Sequence, residues 1–328
     1  MLQAIYEQRG AIPQNVIQPV EKETPRPAEG QVLLDVMAAP INPSDILTLT
    51  GDYGVLPRLP AVGGNEGVGR VARLGPGVDG FSEGQLVLLP VGSGTWATHV
   101  LADARSLVPL PDGADPLQLA MMTVNPPTAS LLMSEFVDLA EGDWLIQNAA
   151  NSGVGGYMIS LARKRGLRLI NVVRREGAVA PLRGQGAEAV LVDGPDLGEQ
   201  VAEMTGGESV KLGIDAVGGA ASNHLADSLS DDGVLVNYGM MSGEPCMIAP
   251  SHLVFRNLQV KGFWLARWFR HASREQQKKL YAELTRMIAA GDLSARIHAQ
   301  YDVSDIQAAV AEAANGGREG KVMIVPGS

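Results

Sequence analysis

One cysteine, Cys246, is all the thiol chemistry this chain carries, which excludes an internal disulfide and a multi-cysteine structural zinc site. It falls in the loop-like stretch 243–250, where nothing marks a low-pKa nucleophile, and it reads as an ordinary thiol. The five histidines, His99, His224, His252, His271 and His298, are scattered without an H-x-x-x-H pair. Each reads as a surface or internally satisfied side chain rather than a metal ligand. No run of 18 or more apolar residues occurs, so no membrane span is expected. The opening MLQAIYEQRG lacks both a signal-peptide core and an Arg/Ser-rich transit segment and already reads as strand, which sets the expected location as cytoplasmic. A basic excess is missing too. The net charge of -10 argues against nonspecific nucleic-acid binding and leaves room only for a local basic patch.

What is present suits a soluble two-domain protein: 328 residues, 45% hydrophobic and 19% charged. Residues 1–110 hold short β-type runs punctuated by Gly, Pro and Asp, at 31–38, 67–74, 85–90 and 95–101, which predict a compact, mostly antiparallel β domain. From about residue 117 strands alternate with helices. Strands are predicted at 143–148, 168–173, 189–192, 211–217, 233–238 and 258–263, with helices at 153–165, 176–185, 195–204 and 219–229 between them. Repeated strand–helix units of this length imply a parallel, doubly wound sheet. Near the C-terminus Leu280, Leu284, Met287 and Ile288 share a helical face that stops at Gly291. Ser304 can cap a second helix, and 321–325 is a closing strand.

The first strand of the alternating region runs into Ala149-Ala150-Asn151-Ser152-Gly153-Val154-Gly155-Gly156 and then a helix. Glycines at such a turn let the backbone approach a pyrophosphate, which the free N–H groups of the helix N-terminus attract. The end of the second strand selects the dinucleotide. An NAD site wants an acid there for the ribose 2′-hydroxyl, whereas this chain offers Arg174 and Arg175, guanidinium groups able to hold a 2′-phosphate in bidentate fashion. A solvated arginine pair is the alternative; NADPH is the expected cofactor.

The segment 51–69, GDYGVLPRLPAVGGNEGVG, carries the other signal. Zinc alcohol dehydrogenases place a metal-binding histidine in a Gly-His-Glu turn; the matching position here is Asn65, and the upstream loop Ile41-Asn42-Pro43-Ser44-Asp45 offers no thiol ligand. Neither asparagine nor serine suits Zn²⁺, so no metal is expected. Acid chemistry must then come from a side chain. A phenol is protonated at neutral pH and suits a general acid, which makes Tyr53 the candidate, with loop packing as its alternative role.

Taken together, AAPINPSDI (38–46), GDYGVLPRLPAVGGNEGV (51–68), VNPPTA (124–129), IQNAANSGVGG (146–156), INVVR (170–174), AVGG (216–219), YGMM (238–241) and KGFWLARW (261–268) resemble the mitochondrial-type 2-enoyl thioester reductases. These are zinc-free members of the medium-chain dehydrogenase/reductase superfamily, and the resemblance covers most of the chain. It implies an α/β fold: a Rossmann doubly wound parallel sheet at 119–265 that binds NADPH, and a GroES-like mostly-β catalytic domain from 1–118 and 266–328. The implied activity is NADPH-dependent reduction of a trans-2-enoyl thioester of coenzyme A or acyl carrier protein, with hydride to Cβ and the proton from Tyr53 to Cα. The resemblance also implies a homodimer. In the cofactor site it implies Asn125 beside the nicotinamide, Ser152, Gly153, Val154 and Gly155 on the pyrophosphate, and Arg174 and Arg175 on the 2′-phosphate. Tyr238, Gly239, Met240, Met241, Phe263, Trp264, Leu265 and Lys321 would complete the cleft.

This chain departs from the family at Pro127 and Ser130, near the nicotinamide motif, and at Glu176, after the arginine pair. A zinc-free NADPH quinone oxidoreductase or alkenal reductase shares the glycine turn, and a noncatalytic NADPH-binding protein is the rival of another class. Arg267, Arg270, Arg274, Lys278 and Lys279 follow the Phe-Trp motif. They read first as a solvated helix face, and second as a meeting point for a phosphopantetheine-linked phosphate or an acidic carrier.

Overall fold

The computed structural model describes residues 1–111 and 113–327. The chain divides into two compact units, Met1–Val124 with Tyr281–Ser328, and Asn125–Leu280. The sequence boundaries were set at 118/119 and 265/266; the compact units part at 124/125 and 280/281.

The first unit is mostly β. The long strand Gln31–Pro40 pairs antiparallel with both Val68–Leu74 and His99–Asp103, and Leu86–Leu88 and Val108–Pro109 extend the sheet beyond Val68–Leu74. At its end, Ala39 and Pro40 pair with Ile324 and Met323 of the closing strand Lys321–Ile324, which pairs in parallel with Ile297–Tyr301. A second sheet orders Ile17–Glu21, Leu2–Tyr6 and Ala61–Val62. Val32, Leu34, Val36, Val71, Val87 and Val100 fill one core; Ile17, Ile41, Leu49, Trp96, Ile306 and Val310 fill another. Each such fully buried aliphatic side chain contributes roughly 1.5–3 kcal/mol.

Three expectations shift here. The strand read over 95–101 becomes His99–Asp103, because Thr95 and Trp96 donate to Gly64 and Gly63 instead, and Thr98 donates to Leu2. That diversion buries Trp96, whose indole N–H donates to the Pro40 carbonyl at 3.1 Å. The cap assigned to Ser304 belongs to Asp302, whose carboxylate accepts from the Ser304 N–H and opens a short 3₁₀ turn before helix Ile306–Ala314. The closing strand ends one residue early, at Ile324. The amphipathic pattern before Gly291 gives helix Arg274–Ala289, with Leu280, Leu284, Met287 and Ile288 buried.

The second unit is a six-stranded parallel sheet in the order Ala189–Val192, Arg168–Val173, Trp144–Gln147, Val210–Asp215, Val234–Asn237, Gln259–Gly262. In chain order this is 3-2-1-4-5-6, the doubly wound arrangement whose direction reverses between Trp144–Gln147 and Val210–Asp215. Helices Gly153–Lys164, Leu197–Thr205 and Ala220–Ser228 connect the strands. The interior strands are apolar runs because they are covered on both faces; Ile146, Ile170, Val172, Leu212 and Ile214 are buried. The helix expected over 176–185 is shorter, a 3₁₀ turn at Glu176–Ala178 followed by Val179–Arg183. Among the described residues no helix is long and apolar enough to cross a membrane.

Candidate active site

In the second unit, the expected cofactor residues other than Asn125 follow the carboxyl ends of the parallel strands. Ser152 caps helix Gly153–Lys164: its hydroxyl accepts from the Gly155 N–H at 3.1 Å, and its carbonyl accepts from Gly156 at 3.0 Å. The N–H groups of Gly153 and Val154 lie outside the helix's own ladder and are free to meet an anion. A Cβ on Gly155 would stand 2.4 Å from the Ala150 carbonyl oxygen, so only glycine lets the helix enter this close to the turn. Tyr238 follows strand Val234–Asn237, with Gly239, Met240 and Met241 after it. Burial pushes the Tyr238 phenol up, an effect that the neighbouring Ser152 opposes. Phe263, Trp264 and Leu265 follow the last strand, and the Phe263 ring meets Phe136 edge to face at 6.0 Å. Arg174 and Arg175 are exposed directly after Val173 and pair with no carboxylate among the described residues. A helix N-terminus with open N–H groups and two uncommitted guanidinium groups at the next strand end fits an NADP-type dinucleotide.

The sequence reading missed the centre of this edge. Asp215, the last residue of its strand, is fully buried and accepts from five donors. Its Oδ1 takes Asn148 Nδ2 at 2.7 Å, Val217 N at 2.8 Å and Gly218 N at 3.1 Å; its Oδ2 takes Ser222 Oγ at 2.6 Å and Asn237 Nδ2 at 3.0 Å. Burial alone would raise this carboxyl, but the hydrogen bonds from Ser222, Asn148 and the two backbone amides outweigh it and hold the pKa below the ordinary value. Asn148 closes the loop by accepting from Ala216 N at 2.8 Å. The turns after strands one, four and five are therefore fixed through one anion. An acid ending an apolar strand, before Gly-Gly, was the available signal. Exposed Cys246 has its Sγ 4.0 Å from Asp215 Oδ2.

In the first unit, Asn42 starts helix Pro43–Thr50 through a capping box with Asp45. The helix stops at Gly51 in the left-handed region, φ 98°, and Tyr53 follows two residues later, half-buried. Beneath that helix lies a buried polar cluster. Asn42 Nδ2 donates to Glu66 Oε1 at 2.6 Å, and Lys321 Nζ donates to Asn42 Oδ1. Asn65 Nδ2 donates to Asp45 Oδ1 at 2.7 Å, and Asn42 N to Asp45 Oδ2 at 2.7 Å. Glu66 Oε2 also accepts from Thr123 N, Thr123 Oγ1 and Val124 N. Burial pushes the Asp45 carboxyl up to about 7, aided by the charge of Glu66 and opposed by the Asn42 amide, Lys321 and Asn65. Glu66 is raised as well, by burial, while burial brings Lys321 down to about 8 against the pull of Glu66 and Asp45.

The donor set does not fit a catalytic zinc. Asn42 and Asn65 aim amide nitrogens at carboxylates, and Lys321 brings a cation of its own. Among the described residues no group of three or more His, Cys, Asp or Glu side chains could hold a metal. Four histidines each meet a single carboxylate, His99 with Asp35, His224 with Asp193, His252 with Asp227 and His298 with Glu312, while His271 bonds the Arg267 carbonyl. Of the expected cofactor residues, Lys321 lies in the first unit, where its amine is engaged by Asn42, and Asn125 is buried at the start of helix Asn125–Leu132.

Comparison with known proteins matches residues 28–112 to the alcohol dehydrogenase GroES-like domain and residues 153–285 to the zinc-binding dehydrogenase family. The human mitochondrial enoyl-[acyl-carrier-protein] reductase is 38% identical over 288 residues, covering 85% of this chain and 76% of its own. The solved complex of Etr1p with NADP and crotonyl-CoA superposes with a TM-score of 0.85 at 28% identity, covering 99% of both chains. A mycobacterial quinone oxidoreductase superposes with a TM-score of 0.84 at 25% identity, covering 99% of this chain and 100% of its own. The human, rat and bovine reductases are mitochondrial, which overturns the cytoplasmic location expected from the opening residues. With a GroES-like region, a 3-2-1-4-5-6 parallel sheet and this identity to the human reductase, the chain belongs to the zinc-free enoyl thioester reductases of the medium-chain dehydrogenase/reductase superfamily.

Proposed function

We propose that this chain reduces the α,β double bond of trans-2-enoyl thioesters at the expense of NADPH, with Tyr53 as the proton donor to Cα. The observation that carries this reading is the identity to the human enoyl reductase across 85% of the chain. Residues 1–124 with 281–328 form the catalytic unit in this reading, and 125–280 the cofactor unit. The N–H groups of Gly153 and Val154 meet the pyrophosphate, and Ser152 keeps the first helical turn in place for it. Arg174 and Arg175 clasp the 2′-phosphate with charge-assisted hydrogen bonds. Bound at this edge, NADPH supplies the hydride that the double bond accepts. Asp215 holds Asn148, Val217, Gly218 and Asn237 in fixed positions around that edge, so the loops need no reorganisation when the cofactor arrives.

Tyr53 completes the reaction. Addition to Cβ leaves an enolate on the thioester; the Tyr53 O–H bond then breaks as its proton goes to Cα, the negative charge passes to the phenolate oxygen, and a proton from water restores the phenol. Lys321, Asn42 and Glu66 lock the helix whose cap, Gly51, lies two residues before Tyr53, which makes them positioning residues for its loop.

Assembly as a homodimer is supported by the sheet edge. Strand Gln259–Gly262, with Val260, is exposed along its whole length, and Val254 and Phe255 are exposed just before it in sequence. An unprotected edge with apolar neighbours suits pairing with a second copy.

A quinone reductase reading has the mycobacterial oxidoreductase fold in its favour. NADPH oxidation by the purified protein with crotonyl-CoA, measured beside a benzoquinone, separates the two. The expected result is robust turnover of the thioester and little of the quinone; the reverse order contradicts the proposal.

A further inference from the structure

The loop that carries Tyr53 leaves helix Pro43–Thr50 at Gly51 and ends at strand Ala61–Val62. Asp52, Gly54, Val55, Leu56, Pro57 and Arg58 are exposed. A loop with so much of its chain in water gains little from burial, so an acid placed on it needs a hold from elsewhere. The Thr50 hydroxyl donates to Asp52 Oδ2 at 2.7 Å, and Asp52 N donates to the Leu47 carbonyl at 2.9 Å. Both of those bonds come before Tyr53 in the chain.

Residues 5–10 brace the loop from outside. Ile5 and Tyr6 pair with Val62 and Ala61, where the loop ends. Gly10 N donates to the Leu49 carbonyl at 3.1 Å, where it begins. Arg9 reaches the loop itself: its guanidinium donates through Nη2 to the Pro57 carbonyl, four residues after Tyr53. The Arg9 stem passes Gly51, with Cδ 3.4 Å from the place a β-carbon on that glycine would take. One side chain therefore touches the loop on both sides of Tyr53. Arg9 Nε is buried and has no hydrogen-bond partner among the described residues. An arginine free in solvent would keep that N–H hydrated, so its burial is a cost of holding the side chain in this pose.

We propose that Arg9 is a positioning residue for the proton transfer, a clamp that braces the loop on both sides of Tyr53 and holds the phenol in the pose from which it protonates Cα. The proposal rests on the enoyl thioester reading above, with Tyr53 as the acid. Lys321, Asn42 and Glu66 fix the helix before the loop; Arg9 fixes the loop. A misplacement of about 1 Å is enough to slow a transfer that needs near-contact geometry. Because Arg9 acts through the loop of the first unit, its loss falls on turnover and spares the cofactor.

The test compares full-length wild type, Arg9→Met, Arg9→Lys, Tyr53→Phe and the double variant Arg9→Met, Tyr53→Phe. Arg9→Met keeps a stem beside Gly51 and removes the donor to Pro57. Its kcat with crotonyl-CoA is expected to fall at least about tenfold, while NADPH affinity stays within about twofold of wild type. Amide hydrogen exchange over residues 52–56, read by mass spectrometry, should quicken by about tenfold in the same variant. Arg9→Lys, which retains a donor, recovers at least about half of the wild-type kcat. In the Tyr53→Phe background Arg9→Met lowers kcat by no more than about twofold further, because an absent acid cannot be misplaced. Wild-type kcat in Arg9→Met overturns the proposal. So does unchanged exchange over 52–56, an Arg9→Lys protein as slow as Arg9→Met, or a full additional loss in the Tyr53→Phe background. Faster exchange over 52–56 in Arg9→Met, together with wild-type turnover by Tyr53→Phe, counts against Tyr53 as the acid and leaves the loop clamp standing.

Discussion

Asp215 and Asp45 are both buried carboxylates, and the fold drives them in opposite directions. Asp215 accepts five hydrogen bonds from side chains and amides of the cofactor unit and stays below its ordinary pKa. Asp45 accepts from Asn42 N and Asn65 Nδ2, with Glu66 close enough to repel it, and rises to about 7. Burial is the first cause at both sites; the number of donors and the sign of the neighbouring charge decide the outcome. The lesson is functional. The cofactor edge is organised around a permanent anion that fixes three turns. The zinc-like position of the other unit has become a network in which Asp45, Glu66 and Lys321 share their charge across Asn42.

The largest effect on this contrast is expected from Asp215→Asn. Five donors would then face an amide that accepts at one atom only, leaving buried N–H and O–H groups unsatisfied, and stability should fall by at least about 2 kcal/mol at neutral pH. Urea denaturation measures it, and NADPH affinity should drop with it because the turns lose their common anchor. Wild-type stability in this variant would mean the donors are satisfied without the charge.

A smaller effect, distinguished by its pH dependence, is expected from Asp45→Asn. The carboxyl titrates near 3.8 in the unfolded chain and at about 7 in the fold, so the folded state holds an extra proton between those values. Its contribution is complete below about 3.8 and is lost as pH rises through about 7. Wild-type stability should therefore carry a downward component from pH 4.5 to 8, with Glu66 adding in the same sense. Asp45→Asn removes the Asp45 share and flattens the profile. Parallel profiles for the two proteins would show that Asp45 ionises as an ordinary carboxylate.

How much of this was legible in the sequence follows from how far apart the partners lie. The parallel sheet was readable because its strands, covered on both faces, are local apolar runs, and the nucleotide turn and Arg174 follow those strands directly. The strand over 95–101 was misplaced because Trp96 takes its partners from Gly63 and Ala4 in the other sheet. Asn42 and Lys321 are 279 positions apart, and nothing local marks either as the other's partner. The donors around Asp215 come from 148, 217, 218, 222 and 237, a convergence made by sheet topology rather than by any motif. The basic run at 267–279 is visible as composition; the fixed helix junction within it emerges only in the fold.

The most direct measurement on the central claim is steady-state reduction of crotonyl-CoA by Tyr53→Phe, with NADPH affinity followed by fluorescence titration. Loss of the phenol proton should cut turnover by roughly 10²–10⁴-fold while NADPH affinity stays within twofold of wild type. Turnover equal to that of the wild type would remove Tyr53 from the chemistry and contradict the assignment of the proton donor.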